Sequence, residues 1–348
     1  MKLLFVTRRV DRGDHLAGFI YNWVKHFGKE TDELRVISWQ EGDSFGLGEN
    51  ISVFHLPTRM NKFAKAIMYM REVWRQSKGV DGIFCHQMPI YTILAAPIAK
   101  LRRKRLISWY AHGSVKFPVR LMEKFADRIV TSSEKGFRLP SKKVRVVGQG
   151  IDVEKFSPEK RIEKTDKFRL LTVGRISPTK DYESMIRAVD ILAGKGEKNI
   201  TLTIVGDPGL EMQGTYLAVL KEMAKNSAHT GNIIFLGSRP HADIPDILLS
   251  ADVFINLSKT GSLDKAVLEA MASGCLVITS NVAFAEILPD ICMTEKDNPK
   301  MLAEKISFLQ SLSLNERRAI AETLRQTVVS GHNLDNLVKK IILVFKEA

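Results

Sequence analysis

Short apolar runs alternate with stretches of helical periodicity along the whole chain, the pattern left by βαβ units built on parallel sheets. In the first half the runs predict strands at Lys2–Thr7, Leu34–Trp39, Ile51–Leu56, Gly82–His86, Arg105–Tyr110, Arg128–Thr131 and Val144–Val147. Helical stretches at Leu16–Phe27, Phe63–Gln76 and Ile90–Arg102 lie between them. The second half repeats the theme, with strands at Phe168–Val173, Thr201–Val205, Ile233–Leu236, Val253–Leu257 and Leu276–Thr279. Its helices are expected at Tyr182–Gly194, Met212–Asn226 and Ile244–Ser250, and a final helical set runs from Lys300 to Lys346. The stretch Ser157–Lys167 (SPEKRIEKTDK) is charged and carries Pro158, so the chain is expected to divide there. The expected parts are residues 1–160, residues 161–332 and a last helix, 333–348. The fold class is α/β, two Rossmann-like domains.

Length and composition agree with that division. A chain of 348 residues is long for one domain and natural for two. An apolar content of 45% with 26% charged residues suits a globular protein with real cores. No apolar run approaches the ~18 residues that span a bilayer, and MKLLFVTRRV reads as a first strand and not as a signal peptide. Cys85, Cys275 and Cys292 have no metal spacing and do not suggest a disulfide framework, so a cytoplasmic location and no metal site are expected. The formal charge of +13 is confined to one half. Residues 1–160 hold 29 Lys and Arg against 16 Asp and Glu, whereas residues 161–348 hold 23 of each. Such a domain attracts an anionic membrane surface or an anionic acceptor, which is the favoured reading; a charge bias serving solubility alone, or a nucleic acid, would also produce it.

The densest chemistry lies in Ser250–Gly274, SADVFINLSKTGSLDKAVLEAMASG. A strand there ends in a Gly-bearing loop (Thr260, Gly261, Ser262) and feeds a helix start carrying Asp264, Lys265 and Glu269. Backbone N–H groups and the helix dipole at such a junction favour an anion, and Glu269 lies one turn further in, suited to a hydroxyl pair. Earlier, Gly174-Arg175 follows the first strand of the second half, and Lys180 comes five positions after Arg175. Two cations at a strand's C-terminal end can neutralise a diphosphate, Arg by a bidentate grip and Lys as a point charge. Solvated surface cations would show the same spacing.

SADVFINLS and LEAMASG, preceded by LLTVGRISPTKDYESMIRAV and TIVGDP, resemble the C-terminal half of a family 4 retaining glycosyltransferase of the GT-B fold. The blocks match in order from about Val144 to about Val282, with weaker blocks toward the N-terminus. The resemblance implies two Rossmann-like domains facing a central cleft, a last helix, 333–348, crossing back to the first domain, a nucleoside-diphosphate sugar donor held by the second domain, and no metal or cofactor. It implies that Arg175 and Lys180 meet the donor diphosphate and that Gly261, Ser262, Leu263, Asp264 and Glu269 form the donor-binding stretch, with Glu269 on the ribose. It implies that His112, after the strand LISWYAH, approaches the donor sugar and is counted with Arg175 and Lys180 as catalytic. Gly13, Asp14 and His15, in the loop RRVDRGDHLAG, fall on the acceptor side, although the usual adjacent glycine pair is lacking. His86 holds a place like that of His112 and reads more readily as structural. The chain departs from the family at Gly261, where a glutamate reaching the donor sugar is usual. Asp264 is the nearest carboxylate, and it either substitutes from the next turn or merely favours the helix N-terminus.

The expected partners are therefore a nucleotide sugar and a glycan or lipid-linked acceptor, with an anionic membrane surface for the basic first domain and no nucleic acid. The helix NKFAKAIMYMREVWRQSK interleaves Phe63, Ile67, Met68, Met70 and Trp74 with Lys62, Lys65, Arg71 and Arg75, a mixture that suits anionic lipid or an ordinary helix docked on a sheet. A non-catalytic GT-B module binding nucleotide sugar or glycan as a partner subunit would account for Gly261. A dinucleotide enzyme is disfavoured, because no G-x-G-x-x-G follows Lys2–Thr7 or Phe168–Val173.

Overall fold

The computed structural model describes residues 1–14, 18–161, 167–197, 199–209, 214–227, 230–259 and 261–347. His15, Thr260 and the expected helix starts at Leu16 and Met212 lie outside the described residues. The chain forms two units: Met1–Asp152 together with His332–Ala348, and Val153–Gly331. The charged stretch Ser157–Lys167 thus falls inside the second unit.

The first unit runs β1 (Lys2–Arg9), α1 (Gly18–Lys29), β2 (Glu33–Gln40), β3 (Ile51–His55), α2 (Lys62–Gln76), β4 (Gly82–His86), α3 (Pro89–Leu101), β5 (Arg105–Trp109), α4 (Phe117–Phe125), β6 (Arg128–Thr131) and β7 (Val144–Val146). The seven strands are parallel in the order β3-β2-β1-β4-β5-β6-β7. The second unit runs β8 (Phe168–Val173), α5 (Tyr182–Gly194), β9 (Ile200–Val205), α6 (Gly214–Asn226), β10 (Ile233–Gly237), α7 (Ile244–Leu249), β11 (Val253–Asn256), α8 (Lys265–Ala272), β12 (Leu276–Thr279), α9 (Pro299–Ser311) and α10 (Leu314–Gly331). Its five parallel strands are ordered β10-β9-β8-β11-β12. The last helix, α11 (Leu334–Lys346), belongs to the first unit. Every strand expected from the apolar runs is present within a residue or two; α4, short and opened by Pro118, is an addition.

Strand order fixes where a ligand can bind. In each unit the chain lays strands on one side of the first strand and then reverses, between β1 and β4 and between β8 and β11. Loops leaving the C-terminal ends of those pairs diverge to opposite faces and open a crevice.

One face of the first sheet is closed by α1 and α11. Leu334, Leu337, Val338, Ile341, Ile342 and Phe345 pack with Leu3, Phe5, Trp23 and Phe27, each buried large side chain contributing about 1.5–3 kcal/mol. Gly82 admits Phe345, because a Cβ there would lie 2.4 Å from the Phe345 ring. His26 of α1 bonds through Nδ1 to Asp335 of α11 at 2.6 Å, with Asp152 3.8 Å from Nε2. Burial opposes protonation of His26, but these two carboxylates prevail and raise its pKa above 6.5. A raised histidine pKa stabilises the folded state fully below pH 6.5 and loses that contribution as pH rises through the folded value. His26→Gln is therefore expected to lower the melting temperature more at pH 5.5 than at pH 8.5; an equal loss at both would refute the pairing.

The opposite face is covered by α2 and α3, and here the amphipathic expectation is corrected. Helix α2 does dock on the sheet, but through Lys65, Tyr69, Val73 and Gln76. Phe63, Ile67, Met68 and Trp74 face solvent, and only Met70 of the apolar set packs inward.

Candidate active site

Three glycines bring the strand ends of the second unit together. Gly174 donates its N–H to the Val205 carbonyl at 3.0 Å, and Gly206 donates to that of Gly237 at 2.9 Å. Gly206 has φ 141°, and a Cβ on it would lie 1.8 Å from the Gly174 oxygen. Arg175 leaves this junction with its stem across Gly209, where a Cβ would come within 2.8 Å of Arg175 Cδ. The Arg175 side chain is exposed, and its guanidinium makes no ion pair or hydrogen bond among the described residues. Lys180 ends the turn that follows, its stem lying over Gly174. Tyr182 stitches the turn down, donating its hydroxyl to the carbonyls of Gly174 and Arg175 at 3.2 Å each.

Across the β8/β11 crevice, Asp264 occupies the N-cap position of α8 but does not cap it. Its Oδ2 accepts from Lys180 Nζ at 2.8 Å and from Asn256 Nδ2 at 3.1 Å. Asn256 is aimed by its side-chain Oδ1, which accepts from Ser258 N–H at 3.3 Å, so this residue orients a site carboxylate. Gly261 is buried at φ 66°. That backbone conformation costs a residue with a Cβ about 1–2 kcal/mol, so glycine suits this position. Ser262 accepts at its carbonyl from Asn281 Nδ2 at 2.8 Å, and Leu263 is buried beneath the loop.

Glu269, one turn into α8, is buried and held by residues that sequence reasoning missed. His241 Nε2 lies 3.1 Å from Glu269 Oε1, while Lys155 Nζ lies 3.3 Å from His241 Nδ1 and donates to the His241 carbonyl at 3.1 Å. With Nδ1 accepting from the ammonium, Nε2 carries the ring proton and donates to the carboxylate. Phe156 packs edge-on against the imidazole, its centroid 5.7 Å away. Burial pushes the Glu269 pKa up, but the His241 hydrogen bond and the charges of Lys265 and Lys155 outweigh it and bring it below 4.5. Lys265, on the same helix face as Glu269, is drawn down to about 7 by burial against the opposing pull of that carboxylate. The whole arrangement is an exposed guanidinium, a lysine–aspartate pair and a fixed ionised carboxylate around one crevice, chemistry fit for a diphosphate joined to polyhydroxyl groups.

The first unit carries the remaining expected residues. His112 is exposed after β5, and its Nδ1 accepts from Ser114 N–H at 3.0 Å, which leaves the proton on Nε2. Gly113 beside it runs under the Arg138 guanidinium. At the β1/β4 crevice Gly13 donates to Asp11 Oδ1 at 3.0 Å, and the Asp14 carboxylate is paired with Arg9 at 2.9 Å. His86 is enclosed by Phe5, Trp23 and Trp109 with its Nδ1 3.2 Å from Thr7 Oγ1, a structural setting. Gln87 follows it at φ 71°, a left-handed conformation placed at this crevice and not anticipated from sequence. Among the described residues no three His, Cys, Asp or Glu side chains converge as a metal-binding set, and no helix is long and apolar enough to cross a membrane.

Residues 153–327 match the family described as "Glycosyl transferases group 1". Over 290 residues the chain is 26% identical to an uncharacterized glycosyltransferase of Methanocaldococcus jannaschii, covering 73% of this chain and 72% of that one. It is 24% identical over 180 residues to a phosphatidylinositol N-acetylglucosaminyltransferase subunit of Arabidopsis thaliana, covering 50% of this chain. That match spans 39% of the plant protein, so the chain accounts for well under half of that relative's length. Among solved structures, Anabaena Alr3699/HepE in complex with UDP and glucose superposes with a TM-score of 0.78 at 17% identity, covering all of both chains. The likeness establishes a shared fold, GT-B.

Proposed function

This chain belongs to the group 1 glycosyltransferases, and from that premise we propose that it moves a sugar from a nucleoside-diphosphate sugar to a lipid-linked or polysaccharide acceptor, with retention of anomeric configuration. The observation that carries the reading is the exposed Arg175 side chain leaving the end of β8, with the Lys180–Asp264 pair held over the neighbouring Gly174. In that reading Arg175 and Lys180 meet the negative charge that accumulates on the departing diphosphate, where such groups are most effective, and no metal is needed there. Glu269, aimed by His241 and Lys155, takes the ribose hydroxyls. Asp264 takes the part of the carboxylate missing at Gly261, since Lys180 and Asn256 both bond its Oδ2 and Oδ1 is the atom offered to a sugar hydroxyl. His112 serves the donor sugar, and Gly13 and Asp14 the acceptor side. The departing phosphate removes the acceptor proton on the face it leaves.

A lipid acceptor is supported by the phosphatidylinositol in the name of the plant relative, and UDP as a first donor nucleotide by its presence in the Anabaena complex. A thermal-shift panel of UDP, GDP, ADP and their sugar conjugates tests the site. One nucleotide at a hundred times its Kd is expected to stabilise by about 2.7 kcal/mol, and Glu269→Ala to abolish the shift. Indifference to every nucleotide would overturn the donor site. Binding without nucleotide release in the presence of acceptors would favour the non-catalytic partner reading, for which the glycine at 261 is the one specific observation.

A further inference from the structure

We propose that the outer face of α2, continued by the end of α3 and the basic recess beside it, docks this chain on an anionic lipid bilayer. Helix α2 carries apolar side chains on its outer face as well as on the inner face that packs Tyr69 and Val73. Its inner face buries Lys65, whose ammonium sits 5.6 Å from the centre of the Trp39 ring, and Gln76. Its outer face leaves Phe63 78% exposed, Ile67 55% and Trp74 44%. Spacings of four, four and three put Phe63, Ile67, Arg71 and Trp74 on one line along the helix, and Lys78 follows just past its end. Single exposed apolar side chains are ordinary, but an aligned set interleaved with cations marks an interaction surface.

The line does not stop at the helix end. The Arg102 guanidinium stacks on Trp74, 4.0 Å from the ring centre, and joins α2 to the end of α3, where Leu101 is 71% exposed. Arg103 and Lys104 come next and also line a recess of about 540 Å³. Arg105, Lys124, Arg128 and Lys143 complete its basic lining, and Asp127 is the one carboxylate there among the described residues. The Asp127 carboxylate is engaged by the Leu106 N–H at 2.7 Å. An apolar ridge beside a cationic hollow matches the two layers of an anionic membrane surface. Phe63, Ile67 and Trp74 enter the boundary of headgroups and acyl chains, where Trp is favoured, and the hollow receives a phosphate-bearing headgroup. A nucleic acid would satisfy the same cations but leave Phe63, Ile67 and Leu101 in water, so the apolar residues decide between the two polyanions.

The proposal is independent of the transfer reaction, and its test reads no turnover. The full chain is floated with vesicles of phosphatidylcholine alone and with vesicles that also contain phosphatidylglycerol. Binding to the anionic vesicles is expected to be at least ~10-fold tighter and to weaken in high salt. Phe63→Ser/Ile67→Ser/Trp74→Ser is expected to lose at least ~10-fold, as is Arg103→Glu/Lys104→Glu, while melting curves show both still cooperatively folded at the assay temperature. A blue shift of tryptophan emission on binding, lost in Trp74→Phe, places the contact on α2. No preference for anionic vesicles, or unchanged binding by the serine variant, would overturn the proposal. So would a wild-type dimer that the serine variant dissociates with no vesicle binding by either, which would make this face a contact between copies.

Discussion

Arg175→Ala is expected to slow release of the nucleoside diphosphate from the matching sugar donor by about 10²–10³-fold, the usual effect of removing one preorganised donor to developing charge. The change should fall mainly on kcat. Charge grows on the leaving diphosphate as the glycosidic bond breaks, so a cation aimed at it contributes more in the transition state than in the bound donor. Arg175 is suited to this because its guanidinium is exposed and, among the described residues, engaged by no carboxylate. Lys180 differs, being held at 2.8 Å by Asp264. Lys180→Ala should cost a similar factor in kcat and also raise the donor KM, because it leaves the negative charge of the Asp264 carboxylate without its cation beside an anionic donor. Steady-state kinetics on both variants separate the two roles. A loss of less than about threefold for Arg175→Ala would show that charge on the leaving group is met elsewhere.

The second large effect is structural. Gly206→Ala is expected to destabilise the second unit by about 2–4 kcal/mol, because its Cβ would lie 1.8 Å from the Gly174 oxygen. Relief requires the end of β8 to move, carrying Arg175 with it, so nucleotide stabilisation should vanish along with the lost melting temperature. Gly194 supplies the control. It ends α5, and a Cβ there would meet nothing within 4 Å, so Gly194→Ala should be neutral or stabilising by up to about 1 kcal/mol. Chemical denaturation of the two variants side by side checks this, and equal stabilities would mean that the glycine contact yields without cost.

Much of the architecture was legible because central parallel strands are buried on both faces and read as unbroken apolar runs. Leu3, Leu4, Phe5 and Val6 are all fully buried. Helix α2 was ambiguous for the complementary reason: apolar periodicity does not say which side of a helix meets the sheet, and here a lysine lies inside while a tryptophan lies outside. In the site, Arg175, Lys180, Asp264 and Glu269 could be picked out because each sits next to a strand end or helix start. His241 and Lys155 could not. They come from a loop and from the segment entering the second unit, 86 residues apart, and only the folded chain makes them neighbours. Gly261 was legible as a departure, but its left-handed backbone at φ 66° is a property of the loop that no side-chain pattern records.

The placement of α11 bears on how the protein is made. A ribosome delivers the chain from its N-terminus, and units generally fold as they emerge. Residues 1–152 supply all seven strands of the first sheet, yet the face that carries Leu3 and Phe5 has only Trp23 and Phe27 of α1 over it until Leu337, Ile341 and Phe345 arrive. Val153–Gly331 holds both its sheet and the helices around it, so the unit synthesised later is the one able to reach its native state first. Until α11 has been made and packs, Leu3 and Phe5 lack part of their native cover, so closure of the first unit is a late step in its folding.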